Sequence, residues 1–368
     1  ASSRSARCDE RPPQAVLTPT RTVPPDRMTL APARPTTSPS DPLTPDGAPA
    51  TVAAVVITRR DPGGLAELLT AVLEQSLLPD AVLVLDRTPP GSPAAGTVSE
   101  VVDQARSSHR VPITIAPGDQ RSPVRTVIHR ALLDQADPTT LAWLLPVGIT
   151  PETGALVALV DDWRRSPSTG ILGPKHVDAE YPNLLQGLSI RTTRGGRLLP
   201  RPAPGEPDQG QYDRLSDVLA VPLPGSLVER DLLADLGGWE RSFGDVGADL
   251  DLGWRAHAAG RRVVVVPSAR MHTEADLALV SAPTPTQRRA ARRVALARAP
   301  WWTVPAMALW IAVTSVLAAL GLLLLKRPRA AWGPCSSLAA LAPFRGMLAR
   351  WRTRRRREVG IASSRVRA

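Results

Sequence analysis

The sequence predicts an α/β fold, with a mainly parallel central sheet covered by helices and a long apolar helix towards the carboxyl end. Three observations predict it. Short runs rich in valine and leucine alternate with amphipathic helical stretches from Val52 to Val266. The connections between them are short, which makes strand–helix–strand units and hence parallel neighbours. Trp301 to Leu325 is nearly uncharged and long enough to cross a bilayer, for which about 20 residues suffice.

Taken in order, residues 1–50 are rich in Pro, Thr, Ser and Arg and show no apolar period. Such a composition buries too little surface to offset chain entropy, so a disordered leader is expected. Val52 to Thr58, VAAVVIT, has the pattern of a buried strand over 52–57. Leu65 to Gln75 places Leu65, Leu68, Leu69, Val72 and Leu73 on one helical face. Ala81 to Leu85 is a second strand and ends at Asp86. Ligands of parallel sheets bind outside the carboxyl ends of strands, where Asp86 lies. A strand-terminal Asp also closes turns, here with Arg87–Thr88–Pro89. Residues 87–96 read as a loop, Val98 to Ala105 as a helix and Ile113 to Ile115 as a strand. Arg125 to Ala136 is a further helix, and Leu141 to Leu145 and Gly170 to Lys175 are further strands. Arg230–Asp231 opens a helix that ends at Gly237–Gly238, with Trp239 next.

Phe243 to His272 organises the rest. Leu250 to Ala259 reads as a short helix closed by Gly260. Val263 to Val266 then reads as a buried strand stopped by Pro267, and His272 lies five residues on. Asp249 and Asp251 thus fall at a helix N-terminus, where carboxylates are held by unpaired N–H groups and the helix dipole. Capping alone explains such a pair; so does chemistry.

The chain's 368 residues can hold one large α/β domain plus extra segments. The net charge is +11, and Lys175 and Lys326 are the only lysines, so arginine supplies the excess. Its density beside the apolar carboxyl-terminal run suits an anionic membrane surface. No zinc spacing and no aromatic-plus-basic RNA motif is present, so nucleic acid is not an expected partner. Cys8 and Cys335 make no disulfide framework. The chain opens at Ala1 without Met or a signal core, and its last dozen residues read as a tail cut short. A processed product or part of a longer protein is the expectation.

The stretch ADLDLGWRAHAAGRRVVVVPSARMH resembles the end of the catalytic domain of inverting family 2 glycosyltransferases. That pattern runs acidic–Asp–x–Asp–Leu–x–x–Arg, then Ala–Gly, a valine-rich strand, Pro and His. The resemblance implies the GT-A fold. It implies Asp249 as general base, with Asp251 and Arg255 beside it, and His272 as a metal ligand. Ala248 departs, standing where the family has Glu. VVIT and EQSLLPDAVLVLD look like the family's nucleotide-binding opening, which gives Thr58 and Asp86 to a nucleotide sugar. GPK, DQGQYD and DVLAV look like an actinobacterial, membrane-associated subgroup. Gly225 and Trp239 fall on the acceptor side by the same resemblance, although a core tryptophan explains Trp239 as well.

Two departures matter. The family's Gly-rich stretch is here Asp119–Gln–Arg–Ser–Pro–Val. The Asp cluster that holds Mg²⁺ or Mn²⁺ after the LAWLL strand is replaced by Pro146–Val147–Gly148–Ile149–Thr150. Those ions need hard oxygen ligands, so His272 alone is a weak site. Asp161 and Asp162, on the next helix, read as a solvated face. The reading is a 51–275 domain that moves a sugar from a nucleotide sugar to a cell-wall or lipid-linked glycan acceptor with inversion. The alternative is a catalytically impaired membrane scaffold or binding protein of the same fold. Residues 276–300 read as a linker and an Arg-rich helix, 301–325 as a membrane helix and 326–368 as a basic tail. Trp301, Trp302 and Lys326–Arg327 suit the membrane interfaces, although a buried core helix is an alternative. Nucleotide sugars place the domain on the cytoplasmic side, with the helix re-entrant, interfacial or followed by a further crossing.

Overall fold

The computed structural model describes residues 50–58, 62–89, 91–134, 140–199, 201–203, 205–274, 283–300 and 302–325. The expected leader, most of the linker, Trp301, Lys326 and the basic tail lie outside the described residues.

The chain opens with β1 (Val52–Ile57), α1 (Leu65–Leu73), β2 (Ala81–Asp86), α2 (Pro93–Ser108), β3 (Ile113–Pro117), α3 (Val124–Asp134) and β4 (Leu141–Pro146). Next come β5 (Ile149–Pro151), α4 (Ala155–Arg165), β6 (Thr169–Asp178), β7 (Leu185–Gly187), β8 (Arg191–Thr192) and β9 (Leu198–Leu199). It ends with β10 (Leu227–Glu229), α5 (Arg230–Asp235), α6 (Gly244–Ala258), β11 (Arg262–Thr273), α7 (Pro285–Arg298) and α8 (Val304–Leu324). The main sheet runs β3-β2-β1-β4-β10-β6-β11-β5, with β7 added on β6.

β1, β2, β3 and β4 are parallel neighbours, as the strand–helix–strand reading predicts. Alternate side chains of β1 enter opposite layers. Val52, Ala54 and Val56 pack with Leu65, Leu69 and Leu156 under α1 and α4. Val55 and Ile57 pack with Ile128, Leu132 and Ala256 under α3 and α6. Val263–Val266 divides the same way, Val264 and Val266 into the first layer and Val263 and Val265 into the second. Both faces are covered, which is why the run is uniformly apolar.

The second half of the sheet is mixed. β10 is antiparallel to β4 and β6, and β5 is antiparallel to β11. These strands have three residues each, too few to show a period in sequence. Three expected boundaries shift. α2 begins at Pro93, inside the expected loop, because proline's fixed φ suits the first helical position. β11 does not stop at Pro267: a bulge between Val266 and Arg270 absorbs the proline, and the strand resumes through His272. α6 starts at Gly244, so Asp249 and Asp251 lie in its second turn rather than at its N-terminus.

α7 is fastened to the domain. Ala291 and Val294 pack with Phe243, Val246 and Leu250. At Gly247 a Cβ would stand 2.8 Å from that of Ala290, so glycine sets the closeness of α6 and α7. α8 carries a span, Val304–Gly321, long and apolar enough to cross a membrane, with a mean hydropathy of 1.9. Leu309, Trp310, Leu317 and Leu320 on it are exposed.

Candidate functional site

The carboxyl ends of β1 and β2 hold Thr58 and Asp86. Asp86 Oδ1 accepts from Thr88 N at 2.8 Å and Thr88 Oγ1 at 2.7 Å, the turn that a strand-terminal Asp forms. Thr58 is buried; its Oγ1 accepts from Arg87 N at 2.7 Å and lies 3.4 Å from Asp86 Oδ1. The two residues meet, and their bonds shape the turn.

Arg87 points towards α3. Its Nη2 donates to the carbonyls of Gln120 at 3.2 Å and Ser122 at 2.9 Å. Burial pulls its guanidinium below the ordinary value, and the nearby charges of Asp119 and Asp245 oppose that.

Arg125 follows, in the first turn of α3. It crosses to α6 and grips Asp249 with a fork, Nε to Oδ1 at 2.7 Å and Nη2 to Oδ2 at 2.6 Å. Its Nη1 meets exposed Asp245 at 2.5 Å. Asp245 and Asp249 are four residues apart, hence on one helical face, and Arg125 offsets their repulsion. Leu223 N adds a bond to Asp249 Oδ2 at 3.2 Å. Burial pushes the Asp249 carboxyl above its ordinary range, and Arg125 pulls it back.

Asp251 lies about 200° round the helix from Asp249, and its surroundings differ. It is fully buried. Oδ2 accepts from Arg255 Nε at 2.8 Å, the i,i+4 neighbour, and Oδ1 accepts from Arg298 Nε of α7 at 2.9 Å and from Arg298 Nη2. Arg255 donates on to the carbonyls of Leu236 at 2.6 Å and Gly238 at 2.7 Å. This network fastens α6 to α7 and to the turn after α5.

The two acceptor-side residues belong to the interior. Trp239 is buried in the layer under α3 and α6. The void beside it, lined also by Val221, Asp249 and Val263, measures about 10 Å³, room for one water and not for a sugar. Gly225 has φ +71°, and a Cβ there would stand 2.7 Å from Pro174 and 3.0 Å from Met271 Sδ. Its close approach is to protein.

The metal ligands do not assemble. Val147 is buried in the apolar layer under α1. Gly148 has φ +101°, a conformation strained for other residues. His272 Nε2 lies 3.4 Å from Glu152 Oε1, but that oxygen accepts from Arg270 Nε at 3.0 Å. Among the described residues no group of three or more His, Cys, Asp or Glu could hold a metal. Asp161 and Asp162 pair with Arg164 and Arg165, as a solvated face does. These donors do not fit Mg²⁺ or Mn²⁺.

Sequence reasoning missed two groups. Arg125 lies just after the glycine-free departure, and no local pattern links it to α6. Lys175 is almost fully buried, and its Nζ meets Asp208 at 3.2 Å and Asp213 at 2.5 Å. The GPK and DQGQYD signatures are thus ion partners, a pairing their 33-residue separation hides. A cleft of about 520 Å³ opens beside them, lined by Asp162, Arg214, Ser268 and Arg270 among others.

No family model and no curated protein matches the chain. Solved structures do. The crystal structure of GalNAc-T7 with UDP, GalNAc and Mn²⁺ matches with a TM-score of 0.51 at 13% identity, covering 69% of this chain and 49% of that one. The chain therefore spans about half the length of that relative. S. aureus TarS 1–349 matches at 0.42 and 12% identity, covering 70% and 68%. The Pyrobaculum calidifontis mannosyltransferase PcManGT, in complex with GDP-Man and Mn²⁺, matches at 0.44 and 17% identity, covering 79% and 85%. The first likeness shows the fold: the chain has the GT-A fold, a mixed α/β architecture around a curled central sheet, with one apolar carboxyl-terminal helix.

Proposed function

We propose that the chain is a membrane-associated glycosyltransferase of the family 2 type. It moves a sugar from a nucleotide sugar to a cell-wall or lipid-linked glycan acceptor with inversion. The observation that carries this reading is Asp249, a buried carboxylate reached by Arg125 from the first turn of α3. Arg87, which follows Asp86 at the end of β2, lies in the field of Asp245 one turn away on the same helix. The group thus sits on the carboxyl side of the parallel strands, where ligands of such sheets bind.

Asp249 takes the proton of the acceptor hydroxyl. The oxygen attacks the anomeric carbon from the face opposite the diphosphate, and the carbon–oxygen bond to the diphosphate breaks with its electron pair. Asp86 and Thr58 bound the donor side. We assign Asp251 and Arg255 to fastening α6. α8 holds the domain at the membrane, on the cytoplasmic side where nucleotide sugars are made.

A second reading is a catalytically impaired scaffold of the same fold. It is favoured by the closure of Asp249 behind Arg125 and Leu223 and by the absent metal carboxylates. One assay separates the two. The full chain in detergent is given labelled UDP- and GDP-sugars with a membrane lipid extract, with and without EDTA. Transfer abolished by Asp249→Asn supports the enzyme. Nucleotide binding without transfer in either form supports the scaffold.

A further inference from the structure

The GT-A fold brings the expectation of a divalent cation against the donor's diphosphate, and among the described residues no group of three or more His, Cys, Asp or Glu could hold one. Val147 faces the core, and Glu152 is committed to Arg270. The leaving diphosphate still gains negative charge as the bond to the sugar breaks, and something must receive it. Two guanidinium groups lie at the carboxyl ends of β2 and β3. Arg87 is bonded to the backbone carbonyls of Gln120 and Ser122. Arg125 presents its fork to Asp249 and its remaining nitrogen to exposed Asp245. A fork that fits a carboxylate also fits a phosphate.

We propose that Arg125 is the group that receives the donor's diphosphate, and that in turning to it Arg125 releases Asp249 to act as base. This rests on the reading of the chain as a nucleotide-sugar transferase. The geometry explains why one residue serves both ends. Asp249 is 5% exposed, and Arg125 is the cation bonded to its carboxylate among the described residues. While Arg125 holds it, the carboxylate is neutralised and its oxygens are occupied. When the diphosphate draws Arg125 away, Asp249 is left as an ion in an apolar surround, where a proton is strongly favoured. The acceptor hydroxyl supplies that proton as its oxygen bonds to the anomeric carbon. The diphosphate departs with the electron pair and takes the charge of Arg125. Donor therefore binds before acceptor, and the base is masked until it does.

The test is calorimetric titration of the full chain in detergent, in EDTA and again with Mn²⁺, with UDP, GDP and the corresponding nucleosides. The unmodified protein binds one of the diphosphates without metal. Arg125→Ala weakens that diphosphate by about 10- to 100-fold, the worth of a charged hydrogen-bonded contact, and leaves nucleoside binding within about 2-fold. Asp249→Asn removes the competitor for Arg125 and tightens the diphosphate by about 10-fold. A purely structural pair predicts no tightening. Should Arg125→Ala leave Asp249 unpaired and fail to fold, Arg125→Ala with Asp249→Asn removes both charges and is expected to bind as weakly. Diphosphate binding unchanged in the Arg125 variants and in Asp249→Asn overturns this inference and leaves the transferase reading standing. Binding that EDTA abolishes overturns it too. No binding of any nucleotide by the unmodified chain overturns both.

Discussion

Asp249 and Asp251 stand two residues apart on α6 and serve different ends. Asp249 faces Arg125, whose second contact, Asp245, is three-quarters exposed. Asp251 faces inward to Arg255 and Arg298, and all three side chains are buried. The first group has a solvent edge, where a ligand can compete for the cation. The second has none: two buried guanidinium groups share one buried carboxylate, and Arg255 also donates to two backbone carbonyls. An Asp–x–Asp signature on a helix therefore cannot be read as one site. Two residues turn the helix by about 200°, so one carboxylate meets Arg125 beside exposed Asp245 and the other faces the core.

The contrast breaks first at Asp251. Asp251→Ala removes the carboxylate that two buried guanidinium groups share and is expected to cost about 3–5 kcal/mol in denaturant unfolding. A loss under about 1 kcal/mol would dissolve the distinction.

Val147→Asp with Gly148→Asp tests whether a carboxylate can be placed where family 2 glycosyltransferases keep one. Val147 is interior and Gly148 is in the left-handed region. The pair is expected to destabilise by at least about 3 kcal/mol and to add no Mn²⁺ affinity in calorimetry. Metal-dependent nucleotide binding in that variant would place the cleft differently.

Arg298 ties the fastening network to the helix that leads to α8. A chain ending at residue 299 keeps it and is expected to leave membranes and unfold as the full chain does. Arg298→Ala in the same chain is expected to lose about 2 kcal/mol, since Asp251 retains Arg255. Pelleting of the 1–299 chain with vesicles at high salt would show an anchor other than α8.

A smaller effect, spread over pH, sharpens the picture of the interior. His176 is buried, with Nδ1 2.9 Å from Thr273 Oγ1, and burial pushes its imidazole down to about 3. The unfolded chain takes a proton near the ordinary 6.5, which the folded chain refuses. The stability this represents is full above 6.5 and is lost as pH falls from there towards 3, by roughly 1.4 kcal/mol per pH unit. His176→Leu should flatten that slope in urea unfolding followed between pH 6.5 and 4.5, and an unchanged slope would assign it to other groups.

The sequence reveals the parallel half of the sheet because β1, β2 and β4 are continuous apolar runs buried on both faces. It hides the mixed half, where β5 and β10 are three residues long and are defined by their partners. α6 was half visible. Its apolar period is clear from Leu250 on, while Gly244 and Gly247 obscure the first turn that puts Asp245 below Asp249. Asp249 was legible as a functional candidate and Arg125 was not, because their contact spans 124 residues and no local pattern announces it. Trp239 and Gly225 stand out in sequence as unusual residues, and the structure packs Trp239 into the layer under α3 and α6 and brings Gly225 close to Pro174 and Met271.

The most direct test of the two-sided helix is urea unfolding of Asp249→Asn and Asp251→Asn, each with and without saturating UDP or GDP. The account predicts that Asp251→Asn loses several kcal/mol and keeps its nucleotide-induced stabilisation, while Asp249→Asn stays within about 1 kcal/mol of the parent and gains stabilisation by nucleotide. Equal losses in the two variants, with nucleotide effects the same as in the parent, would contradict it.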